Sequence, residues 1–315
     1  MAEPRKYYYS EVFHSIQGEG AYTGKMTAWL RMFGCNLTCG GFGQKDPTDP
    51  STYDLPYQNF DISSVSDVKQ LPVWDKGCDS SYSWSKKYRH LLDQVTAEEL
   101  AHKIIDVMRN EHNPNGWFRH PNTQQWQHLC ITGGEPLMPT SQQAFIEIYN
   151  VLKDVPGGPI AGTKYDAASN LPGSITFETN GTYKLTPKFL DFVQNPGQFD
   201  TELFFSVSPK LFTVSGEKNS TALRPEVVAQ YYNVSQTGQL KFVVGSDPRM
   251  WEELEYAVKL FRDAGVFYPV YVMPVGAREE EQTATAGAVA KMAMERGYHV
   301  SGRMHVYLFG NQIGT

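Results

Sequence analysis

The 315-residue chain contains no uninterrupted apolar run approaching ~18 residues, which excludes a transmembrane helix. Its opening residues, MAEPRKYYYS, lack the apolar centre of a secretory signal. Nor is there an excess of basic charge: 28 Lys and Arg stand against 34 Asp and Glu, a net of −6. That balance argues against a protein that grips a nucleic-acid backbone. It leaves room for a small anionic ligand held by one or two arginines. Repeats and low-complexity tracts are absent as well. Cysteine is scarce, with four residues, and a chain of this length buries on the order of 75% of its unfolded surface without disulfide staples. The expectation is a cytoplasmic protein with neither nucleic acid nor membrane as partner. In a reducing compartment, Cys35, Cys39, Cys78 and Cys130 suit metal binding or chemistry better than bridges.

What is present is an alternation of β-branched or aromatic runs with amphipathic stretches. Strands are expected over 27–33, 127–132, 174–178, 203–208, 239–244, 269–273 and 304–309. Helices are expected over 96–110, 141–153, 187–193, 249–263 and 283–295, the first opened by the capping-box spacing of Thr96 and Glu99. Alternation of this kind implies parallel βαβ units, in a partial barrel or an open sheet. Gly40 to Gly77 interrupts the rhythm with 38 residues rich in Pro, Asp, Ser and Tyr, long for a connection inside a compact domain. Pro156 to Gly173 is a second, Gly/Pro-rich excursion. No composition shift marks an independent domain, so both read as insertions in a single domain spanning 1–315.

Four polar clusters stand at expected strand ends: Thr132-Gly133-Gly134-Glu135-Pro136, Glu178-Thr179-Asn180-Gly181, Ser208-Pro209-Lys210 and Met273-Pro274-Val275-Gly276. Glycines there expose backbone N–H and C=O groups where α/β folds place their sites. One such turn is ordinary; four on one rim point to a shared site. Cys35 and Cys39 form a C-x3-C pair directly after a strand. As packed thiols they need no partner. As ligands they lack the second pair that zinc requires, which leaves an iron–sulfur cluster as the other option. Arg31 lies four residues before Cys35. It reads either as a solvated strand-face charge or as a two-pronged clamp on a carboxylate. Cys130 sits in an apolar strand and reads as packing.

Taken together and in order, Ser15-Ile16-Gln17-Gly18-Glu19-Gly20, Arg31, Gly34-Cys35-Asn36-Leu37-x-Cys39, Thr132 to Pro136, Glu178 to Gly181 and Ser208 to Lys210 resemble the 7-carboxy-7-deazaguanine synthase family. That family belongs to the radical S-adenosylmethionine superfamily and serves 7-deazapurine (queuosine precursor) synthesis. The resemblance runs from about Tyr9 to the C-terminus and implies an α/β fold, a partial, modified (β/α) barrel with its site at the C-terminal mouth. One departure stands out. The superfamily spacing is C-x3-C-x2-C, yet the third position here is Phe42, and Cys78-Asp79-Ser80 follows only after the long excursion. The expectation is that 40–77 was inserted between the second and third ligands; the rival reading makes Cys78 a surface thiol and the cluster lost.

The resemblance implies that Cys35, Cys39 and Cys78 hold a 4Fe-4S cluster and that Ser80 meets Mg2+. It implies that Gly77, Asp79, Gly134, Glu178, Ser208, Pro209, Lys210, Met273, Pro274, Val275 and Gly276 contact S-adenosylmethionine. Ile16, Gln17, Gly18, Glu19, Arg31, Thr132, His305 and the Thr315 carboxylate would meet the substrate, 6-carboxy-5,6,7,8-tetrahydropterin. The implied reaction is a ring contraction to 7-carboxy-7-deazaguanine with release of ammonia, in a homodimer fed by an electron donor such as flavodoxin or ferredoxin. Two readings compete: a radical activase acting on a partner protein, which would not require the Gln17-Gly18-Glu19 and Arg31 set, and a cluster-less or zinc-bound binding module with Cys78 free.

Overall fold

The computed structural model describes residues 3–315. Among these, nine strands form one sheet: β1 (Lys6–Ile16), β2 (Met26–Met32), β3 (Asp93–Thr96), β4 (His128–Gly133), β5 (Ser174–Thr179), β6 (Glu202–Val207), β7 (Gly238–Val244), β8 (Val270–Pro274) and β9 (His299–Val300). They lie in the order β3-β1-β2-β4-β5-β6-β7-β8-β9. β1 runs antiparallel to both of its neighbours, and every pairing from β2 to β9 is parallel. From β2 to β9 the spatial order follows the chain, so right-handed crossovers all step the same way and lay their helices on one face. Helices Pro139–Asp154, Pro187–Gln194, Pro225–Val234, Pro248–Asp263 and Glu279–Glu295 cover that face.

The strands alternate accordingly. Leu30, Leu129, Ile131, Ile175, Phe177, Phe205, Leu240, Phe242 and Val272 point into the helix-covered core and are at most 1% exposed. The intervening residues, among them Arg31, Thr132, Glu178, Ser206 and Lys241, face the other way. That other face is concave. Along a flat sheet β1 and β7 would lie five strand spacings, about 24 Å, apart. Yet Glu19, three residues beyond β1, meets Lys241 of β7 at 2.5 Å. Among the described residues no pairing joins β3 to β9, so the sheet curls without closing. This is the partial α/β barrel expected.

The expected strands and helices recur with shifts of a residue or a few at their ends, with one correction. Residues 304–309, read as a strand, form the helix Met304–Phe309, closed by Gly310 in the left-handed region at φ 66°. The sheet's last strand is instead the two-residue β9, upstream. The Thr96–Glu99 capping box is present: the Glu99 backbone N–H donates to Thr96 Oγ1 at 3.2 Å, and the Thr96 N–H to Glu99 Oε2 at 2.7 Å. Not anticipated were β1, whose alternation is blurred by polar residues, the short β3 beside it and the helix Pro225–Val234.

Segment 40–77 contributes no strand. With residues up to Leu91 it builds a separate small core in which Tyr57, Val65, Val68, Leu71, Trp74, Tyr82 and Tyr88 are buried, with Ile313 from the C-terminal tail packed against them. No helix among the described residues is long and apolar enough to cross a membrane.

Candidate active site

The C-terminal ends of β2, β4, β5, β6, β7 and β8 open onto a single cavity of about 530 Å³, within the ordinary size range of small-molecule sites. Parallel strands place successive loops side by side at one end, which is why motifs far apart in sequence share this rim.

Cys35, Cys39 and Cys78 all line the cavity and pack in one small cluster with Leu37, Phe42 and Ala222. None is in a disulfide. The loop carrying the first two is fixed from outside by Glu217, whose Oε1 accepts the backbone N–H groups of Thr38 and Cys39, both at 2.7 Å. Cys78 is returned to the same wall after the excursion. The Gly77 N–H donates to the Phe42 carbonyl at 2.8 Å, and the Trp84 indole N–H lies 3.4 Å from the Cys78 sulfur. Burial pushes the free thiols of Cys35 and Cys78 up to about 12 and about 11; the Lys210 ammonium works against this at all three sulfurs. Among the described residues, no three His, Cys, Asp or Glu side chains close on a single ion. A wall of three thiols around a cavity suits a larger, multi-iron group, with iron taking the place of the thiol protons.

The glycine-rich turn after β4 sits directly against this loop. A Cβ on Gly134 would lie 2.2 Å from the Gly34 carbonyl oxygen and 2.7 Å from Cys35 Cβ, so only glycine fits. Glu135 is the internal brace. Its carboxylate accepts from Thr179 Oγ1 (2.7 Å), the Asn180 N–H (2.7 Å) and the Leu137 N–H (2.9 Å), tying the ends of β4 and β5 together. Burial nonetheless pushes Glu135 up to about 6.

The barrel interior is crossed by a continuous charged network. Lys241 Nζ donates to Glu19 Oε2 at 2.5 Å and Glu178 Oε2 at 2.9 Å. Arg303 bonds Glu19 Oε1 and Asp79 Oδ2, each at 2.9 Å. Gln17 Nε2 donates to Glu178 Oε1 at 3.1 Å. Burial opposes the Glu19 charge, but Lys241 and Arg303 outweigh it and hold the carboxyl well below the usual range. Burial likewise opposes the charge of Asp79, which Arg303 keeps low. Arg31 donates from Nε to Glu11 at 2.7 Å, and Tyr82 donates to the same oxygen at 2.8 Å. Ser80 donates to Asp79 Oδ1 at 3.1 Å and faces Arg31 Nη1 at 3.5 Å. The His305 ring lies over Gly18, where an added Cβ would come within 1.9 Å of Nδ1. Burial first, then Arg303, lowers His305 to about 4, so it is neutral at physiological pH.

Of the residues that the resemblance assigns to the cluster, Mg2+, S-adenosylmethionine or substrate, all but Gly18 and Pro209 line the cavity. Gly18 is covered by His305, and Pro209 is buried behind the rim. His305 reaches the site from a helix, not the strand expected. Cys130 is fully buried in β4. Lys241, Arg303 and Glu11 were missed. Lys241 had a signal, a lone lysine in the apolar run 240–244 of β7; Arg303 and Glu11 had none.

No family model matches the chain. A curated protein named 7-carboxy-7-deazaguanine synthase from Pyrobaculum aerophilum is 22% identical over 96% of this chain and 95% of its own length. Proteins of the same name from Rhodopirellula baltica and Halobacterium salinarum are each 25% identical, over 97% and 96% of this chain and 88% and 90% of theirs. The chain resembles 7-carboxy-7-deazaguanine synthases from end to end. The likeness first carried by scattered motifs thus extends over nearly the whole sequence. A solved structure of QueE from Escherichia coli aligns over 95% of both chains, with 17% identity and a TM-score of 0.49.

Proposed function

We propose that the protein is a 7-carboxy-7-deazaguanine synthase, a radical S-adenosylmethionine enzyme that contracts the ring of 6-carboxy-5,6,7,8-tetrahydropterin with release of ammonia. The observation that carries this reading is the return of Cys78, across 38 residues of sequence, to the wall already formed by Cys35 and Cys39. The cavity they share is also lined by the strand-end motifs of the resemblance. In this reading 1–315 is one catalytic domain and 40–77 an insertion that carries the third ligand back.

Cys35, Cys39 and Cys78 hold the 4Fe-4S cluster. Bound S-adenosylmethionine supplies the radical chemistry, which belongs to the cofactor and not to the protein. This chain's residues bind, orient and shield. Gly134, pressed against the cysteine loop, leaves its backbone groups open to the methionyl end. Ser208, Lys210 and Met273 to Gly276 form the opposite rim for the nucleoside. Arg31 presents a guanidinium to the substrate carboxylate, and Gln17 and Glu19 present acceptors and a donor to its ring. Ser80 offers a hydroxyl to Mg2+, a hard cation that prefers oxygen ligands. The working form is a homodimer that takes electrons from a low-potential protein of the flavodoxin or ferredoxin type.

The test is anaerobic reconstitution, then turnover with 6-carboxytetrahydropterin, S-adenosylmethionine, Mg2+ and a low-potential reductant. Formation of 7-carboxy-7-deazaguanine is the expected result. Cleavage of S-adenosylmethionine without that product would transfer the protein to another radical reaction. A protein that takes up no iron would sink the proposal. Ser80→Ala should reduce stimulation by Mg2+; undiminished stimulation removes Ser80 from the metal's ligands. Light scattering decides the homodimer.

A further inference from the structure

We infer that Lys241 is a positioning residue of this site: its ammonium holds Glu19 and Glu178 side by side on the cavity wall, as paired acceptors for the N–H groups of the bound substrate. The inference rests on the functional reading above and deepens it, moving Glu178 from the S-adenosylmethionine contacts that the resemblance implies to the substrate wall. Lys241 rises from β7, the strand opposite the cysteine loop across the barrel, and its side chain is 4% exposed. One nitrogen touches both carboxylates, at 2.5 Å and 2.9 Å, and both glutamates line the cavity. Two carboxylates bonded to one nitrogen are held side by side by the cation between them, which offsets their mutual repulsion. Glu19 has a second cation in Arg303, at 2.9 Å. The partners of Glu178 are Lys241 and the uncharged Gln17.

A buried ion triad is a poor device for stability, since apolar side chains of similar volume often serve as well or better. Its place on the cavity wall gives it another use. Each carboxylate oxygen accepts one protein hydrogen bond and keeps a further lone pair. A 2-amino-4-oxopyrimidine ring carries adjacent N–H donors that match such acceptors. The other charged or titratable groups facing the triad are Arg303 and His305 from the C-terminal segment, Asp79 from the cysteine loop, Arg31 from β2 and Cys130 from β4. None of them touches Glu178 within salt-bridge distance. Without Lys241, nothing but the Gln17 amide fixes the Glu178 carboxylate on the cavity wall.

The experiment is calorimetric titration of pterin-6-carboxylate, a ligand that is not turned over, into reconstituted holoenzyme at one fixed pH near neutral, with substrate KM and kcat measured in parallel. Lys241→Met should weaken binding about tenfold to a hundredfold and raise KM by a similar factor, with kcat changed much less. Lys241→Arg should stay within about threefold of wild type, and adding Glu178→Gln to Lys241→Met should cost little more, because the two residues act as one unit. Binding by Lys241→Met within about threefold of wild type, or a fall in kcat with KM unchanged, overturns the inference. So does a loss in folded Lys241→Arg as large as that of Met, which keeps the test decisive if the Met variant does not fold. Wild-type holoenzyme that fails to bind the pterin overturns instead the functional reading itself.

Discussion

The two faces of the sheet are made by the same strands and obey opposite rules. On the convex face Phe177 meets Phe145, Phe189 and Phe205 at ring-centroid distances of 5.0, 5.7 and 6.1 Å, in an apolar core sealed by helices. On the concave face the next residue along, Glu178, enters a charged network with Lys241 and Gln17. Parallel sheets are commonly apolar on both sides because helices cover both. Here only one side is covered, and the curl of the sheet turns the other into a cavity wall. Stability is concentrated on one face and chemistry on the other, one residue apart.

Substitutions on each face test this separation. The largest effect is expected at the cavity. Cys78→Ala should abolish iron loading on reconstitution, measured as iron and sulfide per chain, while leaving the fold cooperative. Full loading in that variant would return Cys78 to the status of a packed thiol. On the convex face, Phe177→Ala should cost about 3–5 kcal/mol in denaturant unfolding, from lost burial and an aromatic-lined void. KM should not change; a raised KM would mean that the two faces are not separable.

A third test uses the lower end of the concave face, away from the cavity. His128 is 1% exposed, and its ring nitrogens pair with Ser174 Oγ at 2.6 Å and Thr176 Oγ1 at 2.8 Å. Burial, then Lys25, lowers it to about 3. Its folded value lies below its unfolded one, so the associated stability is complete above about pH 6.5 and is lost as pH falls toward the folded value. That loss, on the order of a few kcal/mol at full extent, predicts a Tm that declines with acid below about pH 6.5. His128→Asn should flatten the decline, and an unchanged slope would place the acid sensitivity elsewhere. The smallest effect is expected where 40–77 meets the barrel. Asp75 and Arg278 lie 3.9 Å apart, each more than a third exposed. Asp75→Asn should cost less than about 1 kcal/mol; a larger loss would show that the segment is held by this pair and not by its own apolar cluster.

How much was legible in advance follows the same division. The parallel strands could be read because their convex residues are apolar and β-branched or aromatic. The rim motifs could be read because glycines and polar residues break those runs at the strand ends. Residues 304–309 misled because an apolar six-residue run fits a short strand as well as a helix, and Gly310 as a helix terminator is visible only once the helix exists. Arg303 and Glu11 gave no signal, since a single charge in a mixed segment is ordinary until its partner is known.

By itself the sequence determined the α/β alternation, the order of the motifs, and the set of thiols, glycines and charges available for chemistry. Those depend on local periodicity and residue type. Only the tertiary structure decided that the sheet curls far enough for Glu19 to reach Lys241, that Cys78 comes back to Cys35 and Cys39, and that Arg303 links Glu19 to Asp79. These are contacts between residues up to 284 positions apart, set by how helices pack on one face and bend the sheet around the other, and no local pattern encodes them.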